Sequence, residues 1–231
     1  MNIQEIFDKH IALFRGISPD ELKGLLDCLG AYEASFRRGE TVWLAGDKLR
    51  SIGVVLEGQV NAYRDDILGN RALMTAVTPP GLFGETIVCA GLPESPVTAE
   101  AATDSRVLFV GFDKAVRPCS LSCTFHNALI RNMLSILAGK NIALSEKISH
   151  ISKKTTRQKL ASYLISEATR QRSRVFSVPL DRQALADYLG VNRSALSREL
   201  SAVCAEGALS CSRSQFEILN PDRLEEILLT E

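Results

Sequence analysis

The sequence predicts an α+β chain: an N-terminal antiparallel jelly roll, one long helix, and a C-terminal helical unit closed by a β-hairpin. Three observations point there. Residues 31–112 break into short β-branched or aromatic runs cut by glycine. Residues 127–151 repeat apolar side chains at spacings of four and three. Residues 155–231 hold amphipathic patterns on either side of Gly190, then a strand-turn-strand pattern after Gly207. A chain of 231 residues is long enough to bury two cores.

Residues 1–30 read as helical, with Ser18 as an N-cap, Pro19 in the first turn, and Leu22, Leu25, Leu26 and Leu29 on one face. The runs TVWLAG, SIGVVLEG, QVNAY, RALMTAV, PVTAEA and RVLFVGF then read as strands, with turns at Gly39, Gly46, Gly58, Gly69, Gly81 and Gly91. That many short strands suggest a barrel or jelly roll.

In the long helix, Ile130, Leu134, Leu137, Asn141, Leu144, Ile148 and Ile151 fall on heptad seam positions. One buried amide at such a seam fixes register and favours two strands, so Asn141 argues for a parallel dimer. The alternative is a helix packed on its own domain, which tolerates a wider apolar stripe. Further on, TTRQKLASYLISEATR places Leu160, Tyr163, Leu164 and Ala168 on one helical face.

Formal net charge is zero, yet its distribution is uneven. Residues 151–198 hold ten basic and three acidic side chains, a local excess of about +7 that the rest of the chain offsets. Such a segment can meet phosphates, although a solvated basic face would look the same. No apolar run approaches the roughly 18–20 residues of a membrane helix, and the first residues lack the pattern of a signal peptide. The expectation is a cytoplasmic protein with no membrane partner, its six cysteines reduced.

The segment LDRQALADYLGVNRSALSRELSAVCAEGAL carries the strongest functional signal. Asp181 can cap a helix burying Leu185 and Leu189; Gly190 turns the chain; Asn192 can cap a second helix with Leu196 and Leu200 inward. Two short helices joined by a tight glycine turn follow the helix-turn-helix plan, whose second helix enters the major groove of DNA. Arg193, Ser194, Ser197 and Arg198 would then face base edges, since arginine can bridge the O6 and N7 acceptors of guanine and serine can donate or accept. Arg182 and Gln183, opening the first helix, would lie near phosphates, as would Asn192 and, in the hairpin, Arg213.

On DRQALADYLGVNRSALSREL, on GLFGETIVCAGLPESPVTAEAATDSRVLFV and on the helix between them, the chain resembles the Crp/Fnr superfamily of transcription regulators over essentially its whole length. The docking geometry that the resemblance implies is that of the catabolite activator, with the second helix in the major groove. The resemblance implies a cyclic-nucleotide-type β-roll over residues 1–118 with its N-terminal helices. It also implies a dimerisation helix over 119–152 and a winged helix-turn-helix over 153–231. It puts Arg193, Ser194, Ser197 and Arg198 on base-reading positions, and implies a homodimer on a palindromic operator, with RNA polymerase as a partner if the protein activates.

What the N-terminal part senses is less directly written. Nucleotide-binding members carry a Gly-Glu pair and then an Arg-Ser pair. Gly84 and Glu85 match the first, but Ser95 and Pro96 stand where the second belongs. Without that arginine the charge-assisted contact to a cyclic phosphate is lost, and Pro96 has no N–H to donate. A cyclic nucleotide is therefore not expected. An organic effector is the leading expectation, in a pocket of Gly84, Glu85, Ser95, Leu137, Asn141 and Leu144. Iron–sulfur members carry a close N-terminal cysteine cluster, where this chain has only Cys28. Cys119, Cys123 and His126, at spacings of four and three, could share a helical face as a haem, metal or thiol site, or could be plain core residues.

Two other readings compete. A cupin-type metalloenzyme would need histidines inside the barrel, and residues 31–112 contain none. A dimer acting only through protein partners would lack DNA binding. The expectation is a non-enzymatic regulator.

Overall fold

The computed structural model describes residues 2–66, 68–115 and 124–229. The chain divides into two compact units, Met1–Ala138 and Gly139–Glu231. No described helix is long and apolar enough to cross a membrane.

The first unit opens with helices α1 (Ile3–Asp8) and α2 (Pro19–Leu29). Ser18 caps α2 through a reciprocal box with Glu21, and its buried face is Leu22, Leu25, Leu26 and Leu29, the four leucines the spacing selects. Eight strands follow: β1 (Tyr32–Phe36), β2 (Thr41–Trp43), β3 (Ser51–Glu57), β4 (Val60–Asp65), β5 (Arg71–Val77), β6 (Leu82–Phe83), β7 (Thr98–Ala101) and β8 (Ser105–Gly111). Helix α3 (Glu85–Cys89) lies between β6 and β7, and α4 (Phe112–Ala115) follows β8. The strands form two antiparallel sheets ordered β1-β8-β3-β6 and β2-β7-β4-β5, the β-roll the glycine-cut runs predict. Strands β1 and β6 are not among the runs read from the sequence: YEASF alternates apolar and polar side chains but no glycine turn beyond Gly30 separates it from the preceding helix pattern, and LF is only two residues long.

Each face of the first sheet is buried differently. Ile52, Val54, Leu56, Leu108 and Val110 pack against the N-terminal helices and against Leu129 and Met133. Val55, Val107 and Phe109 point the other way, into the roll, where they meet Trp43, Val60, Phe83 and Ala99. This explains why β3 and β8 read as continuous apolar runs rather than alternating ones.

Helix α5 (Thr124–Ile151) is the long helix, and the boundary between the units falls within it. In the first unit, Asn132 Nδ2 donates to the carbonyls of Leu13 (3.0 Å) and Arg15 (2.8 Å), fixing α5 to the N-terminal segment.

The second unit contains α6 (Thr156–Gln171), β9 (Val175–Ser177), α7 (Arg182–Leu189), α8 (Arg193–Ala205), β10 (Leu209–Ser212), β11 (Gln215–Ile218) and α9 (Pro221–Leu229). Its sheet is antiparallel, ordered β10-β11-β9. Leu160, Leu164, Leu185, Leu189, Leu196, Leu200, Phe216 and Leu224 share one core. Helix α6 starts at a second reciprocal cap, Thr155 with Gln158. The fold is thus α+β, with a β-roll, a long helix and a winged helix-turn-helix.

Candidate functional site

The turn between α7 and α8 is built by three residues. Asp181 caps α7 by accepting from the Ala184 N–H at 2.8 Å. Gly190 ends it in the left-handed region at φ 60°, and the Val191 N–H returns to the Ala186 carbonyl at 3.0 Å. A Cβ on Gly190 would touch nothing within 4 Å, so conformation rather than space demands glycine there. Asn192 then caps α8, its Oδ1 accepting from the Ser194 N–H at 2.9 Å and the Ser194 hydroxyl at 2.6 Å.

With Leu196, Leu200 and Val203 buried, α8 turns the opposite face outward. Arg193, Ser194 and Arg198 are exposed and Ser197 is half-buried. Neither arginine makes an ion pair among the described residues. Because the Ser194 hydroxyl donates to its cap, its oxygen is left as an acceptor. One turn on, Ser201 is exposed on the same face with its hydroxyl donated to the Ser197 carbonyl; the i+4 spacing from Ser197 could have selected it.

The flanking candidates are partly engaged. Arg182 stacks its guanidinium 5.1 Å from the Phe216 ring, joining the start of α7 to β11. Gln183 Nε2 donates to Asp187 Oδ1 at 2.9 Å. Arg213 stands exposed at the hairpin tip with φ 51°. The far end of α8 is anchored: Arg157 pairs with Glu206, which holds that carboxyl below its usual range, and Arg223 Nη1 donates to the Glu206 carbonyl at 2.8 Å.

In the β-roll, Gly84 adopts φ 77° ahead of α3, and Glu85 is buried with Oε1 accepting from Thr86 Oγ1 at 3.0 Å. A Cβ on Gly84 would come within 3.1 Å of the Trp43 ring. That indole stacks on Phe83 at 5.0 Å and donates to the Val97 carbonyl at 3.2 Å. Ser95 is buried, its hydroxyl donating to the Val97 carbonyl at 2.6 Å, so it locks a turn. The residues around Gly84 do not fit a cyclic phosphate: the indole lies against the glycine, and the Ser95 hydroxyl is already donated.

Of the remaining pocket candidates, Leu137 is half-buried in the first unit, while Asn141 and Leu144 are exposed in the second. Asn141 Oδ1 accepts from Ser145 Oγ at 3.4 Å. Along the seam, Leu134, Leu144 and Ile148 are 62%, 61% and 61% exposed, Ile151 is exposed and Ile130 half-buried. Ile142, beside Asn141 and 61% exposed, widens the stripe and was not selected by strict heptad spacing.

Cys119 and Cys123 lie outside the described residues. His126 is buried, with Nε2 at 3.7 Å from Cys28 Sγ and Nδ1 without a hydrogen-bond partner among the described residues. Among the described residues no three His, Cys, Asp or Glu side chains converge. His150 is buried at the end of α5, its Nδ1 2.8 Å from Ser162 Oγ, because α6 folds against it.

Comparison with known proteins agrees with this architecture. Residues 158–227 match the Crp-like helix-turn-helix domain and residues 33–117 the cyclic nucleotide-binding domain, together more than half of the chain. The fumarate and nitrate reduction regulatory protein of Escherichia coli is 24% identical over 207 residues, covering 87% of this chain and 80% of the relative. Among solved structures, the Thermus thermophilus catabolite activator protein superposes with a TM-score of 0.51 at 22% identity, covering 94% of this chain and 98% of its own. CprK complexed with OCPA superposes with a TM-score of 0.65 at 14% identity, over 89% and 92%. With a Crp-like helix-turn-helix behind a cyclic-nucleotide-type β-roll, the chain belongs to the Crp/Fnr superfamily of transcription regulators.

Proposed function

We propose that this chain is a cytoplasmic, sequence-specific regulator that binds a palindromic DNA operator as a homodimer, gated by an effector other than a cyclic nucleotide. The observation that carries the reading is the outward face of α8, where Arg193 and Arg198 stand exposed, without ion pairs among the described residues, beside Ser194 and Ser197. These four residues read base edges. Arg182, Gln183, Asn192 and Arg213 meet the backbone phosphates.

Dimerisation rests on α5. Leu134, Leu144 and Ile148 are exposed in the single chain, and an apolar stripe of that kind favours burial against a copy of itself. Ile130, Leu137, Asn141 and Ile151 complete the seam, with Asn141 setting register. Two recognition helices then sit about one DNA turn, roughly 34 Å, apart. RNA polymerase is a further partner if the protein activates. No catalysis is involved.

An organic molecule held by the sensor unit would shift the population toward the DNA-competent arrangement. The filled surroundings of Gly84 support a ligand other than a cyclic nucleotide. Anaerobically purified protein should give a clear visible spectrum; a Soret band or broad iron–sulfur absorbance would replace the organic effector with a gas or redox sensor. The DNA reading is tested by binding of Arg198→Ala to an operator and to single-base variants of it. The loss should be about 1–3 kcal/mol and confined to one base pair per half-site. Equal weakening on every sequence would place Arg198 on a phosphate instead.

A further inference from the structure

Cys204 sits in the last turns of α8 and Cys211 on β10, and their Sγ atoms lie 3.4 Å apart. Regular structure holds both. The Ala208 N–H donates to the Val203 carbonyl at 3.3 Å, Gly207 reverses the chain at φ 75°, and Cys211 pairs with Phe216 in the wing. A disulfide needs the sulfurs at about 2.05 Å, a change within reach of side-chain rotation and a small backbone shift. The base-reading face lies at the other end of α8, so this contact is not part of the DNA site.

We propose that Cys204 and Cys211 form a redox-active dithiol site that takes a low-molecular-weight disulfide, such as oxidised glutathione, and closes an intramolecular disulfide between the recognition helix and the wing. The Cys211 thiolate attacks one sulfur of the oxidised glutathione, forming a mixed disulfide and expelling one glutathione thiolate. Cys204 then loses its proton to solvent and attacks the Cys211 sulfur, expelling the second glutathione thiolate. Two protein thiols and one glutathione disulfide thereby become one protein disulfide and two glutathiones. Burial and the neighbouring sulfur push the Cys204 thiol up to about 11, which makes it the resolving rather than the attacking thiol.

The bond would fasten α8 to the strand paired with Phe216, the ring beneath Arg182. Oxidation should therefore slow amide exchange across residues 209–218 and raise the thermal midpoint of the second unit by a few degrees.

Trypsin offers a direct test, because Cys204 and Cys211 fall in one fragment, residues 199–213, with no Lys or Arg between them. The full-length protein is incubated with oxidised glutathione, blocked with iodoacetamide and digested. The fragment is expected to lack two hydrogens and carry no alkyl group, whereas reduced protein gives a doubly alkylated fragment. Cys204→Ser should stop at glutathione on Cys211. The proposal is overturned if the wild-type fragment emerges doubly alkylated, or bearing two glutathiones, while other cysteines have been oxidised. The wild-type reading stands even if the variant does not fold.

Discussion

In the β-roll, Arg106 is surrounded by carboxylates: Glu5, Glu33 at 3.2 Å and Glu57 at 2.7 Å all pair with its guanidinium. Their contacts hold it charged and lower the Glu5 carboxyl. On α8, Arg193 and Arg198 have no such partners among the described residues and are exposed. The same side chain ties strands together in the roll and, among the described residues, is left without an ion pair on the outward face of α8. Internal pairing satisfies a guanidinium's donors; an exposed helix face without pairing keeps them available to phosphate or base. The interiors differ in parallel. Trp43, Phe83 and Phe109 fill the roll, whereas apolar side chains of α5 are left outside in the single chain.

The largest expected effect breaks the first unit alone. Trp43→Ala removes the indole stacked on Phe83 and should cost about 3–5 kcal/mol of stability. Calorimetry should show the loss in one of two transitions, leaving the other in place. Next, Leu144→Glu puts charge into the seam, where burial costs several kcal/mol. Analytical ultracentrifugation should find monomers; an unchanged dimer would take Leu144 out of the interface.

The arginine contrast gives the third prediction. Arg198→Ala should leave stability within about 0.5 kcal/mol while losing base discrimination. Arg106→Ala should do the reverse, costing on the order of 1 kcal/mol in denaturant unfolding and leaving discrimination intact. Asn192→Ala, which removes the α8 cap, should cost about 1 kcal/mol and weaken DNA binding through the frayed first turn.

The smallest effect is in pH. Burial lowers the His150 pKa, while Glu146 and Glu167 pull it up and Lys153 pushes it down. The unfolded chain therefore takes up this proton at a higher pH than the folded one. Stability should fall as pH drops below about 6.5, the ordinary histidine value, and level off once the folded state is also protonated. His150→Gln should flatten that slope in urea titrations.

The DNA-binding unit was legible in the sequence because its signals are local. Asp181, Gly190 and Asn192 act within a turn of themselves, and the buried leucines follow helical spacing. The roll was legible as a texture of strands but not in detail: LF pairs with β3 only across the fold, and YEASF needs β8 to become a strand. The packing around Gly84 could not be read, since Trp43 reaches Gly84 and Phe83 from a distant strand. Cys28 beside His126, and Cys204 beside Cys211, are likewise products of tertiary packing or a hairpin register that no motif announces.

The most direct test of the central claim is selection of bound duplexes from random DNA by the full-length protein, with and without a small-molecule extract of its cells. The account predicts a two-fold symmetric motif with half-sites about one turn apart, in which Arg198→Ala erases the preference at one symmetric pair of positions. No enriched motif under either condition, or one without symmetry and indifferent to Arg198, would contradict it.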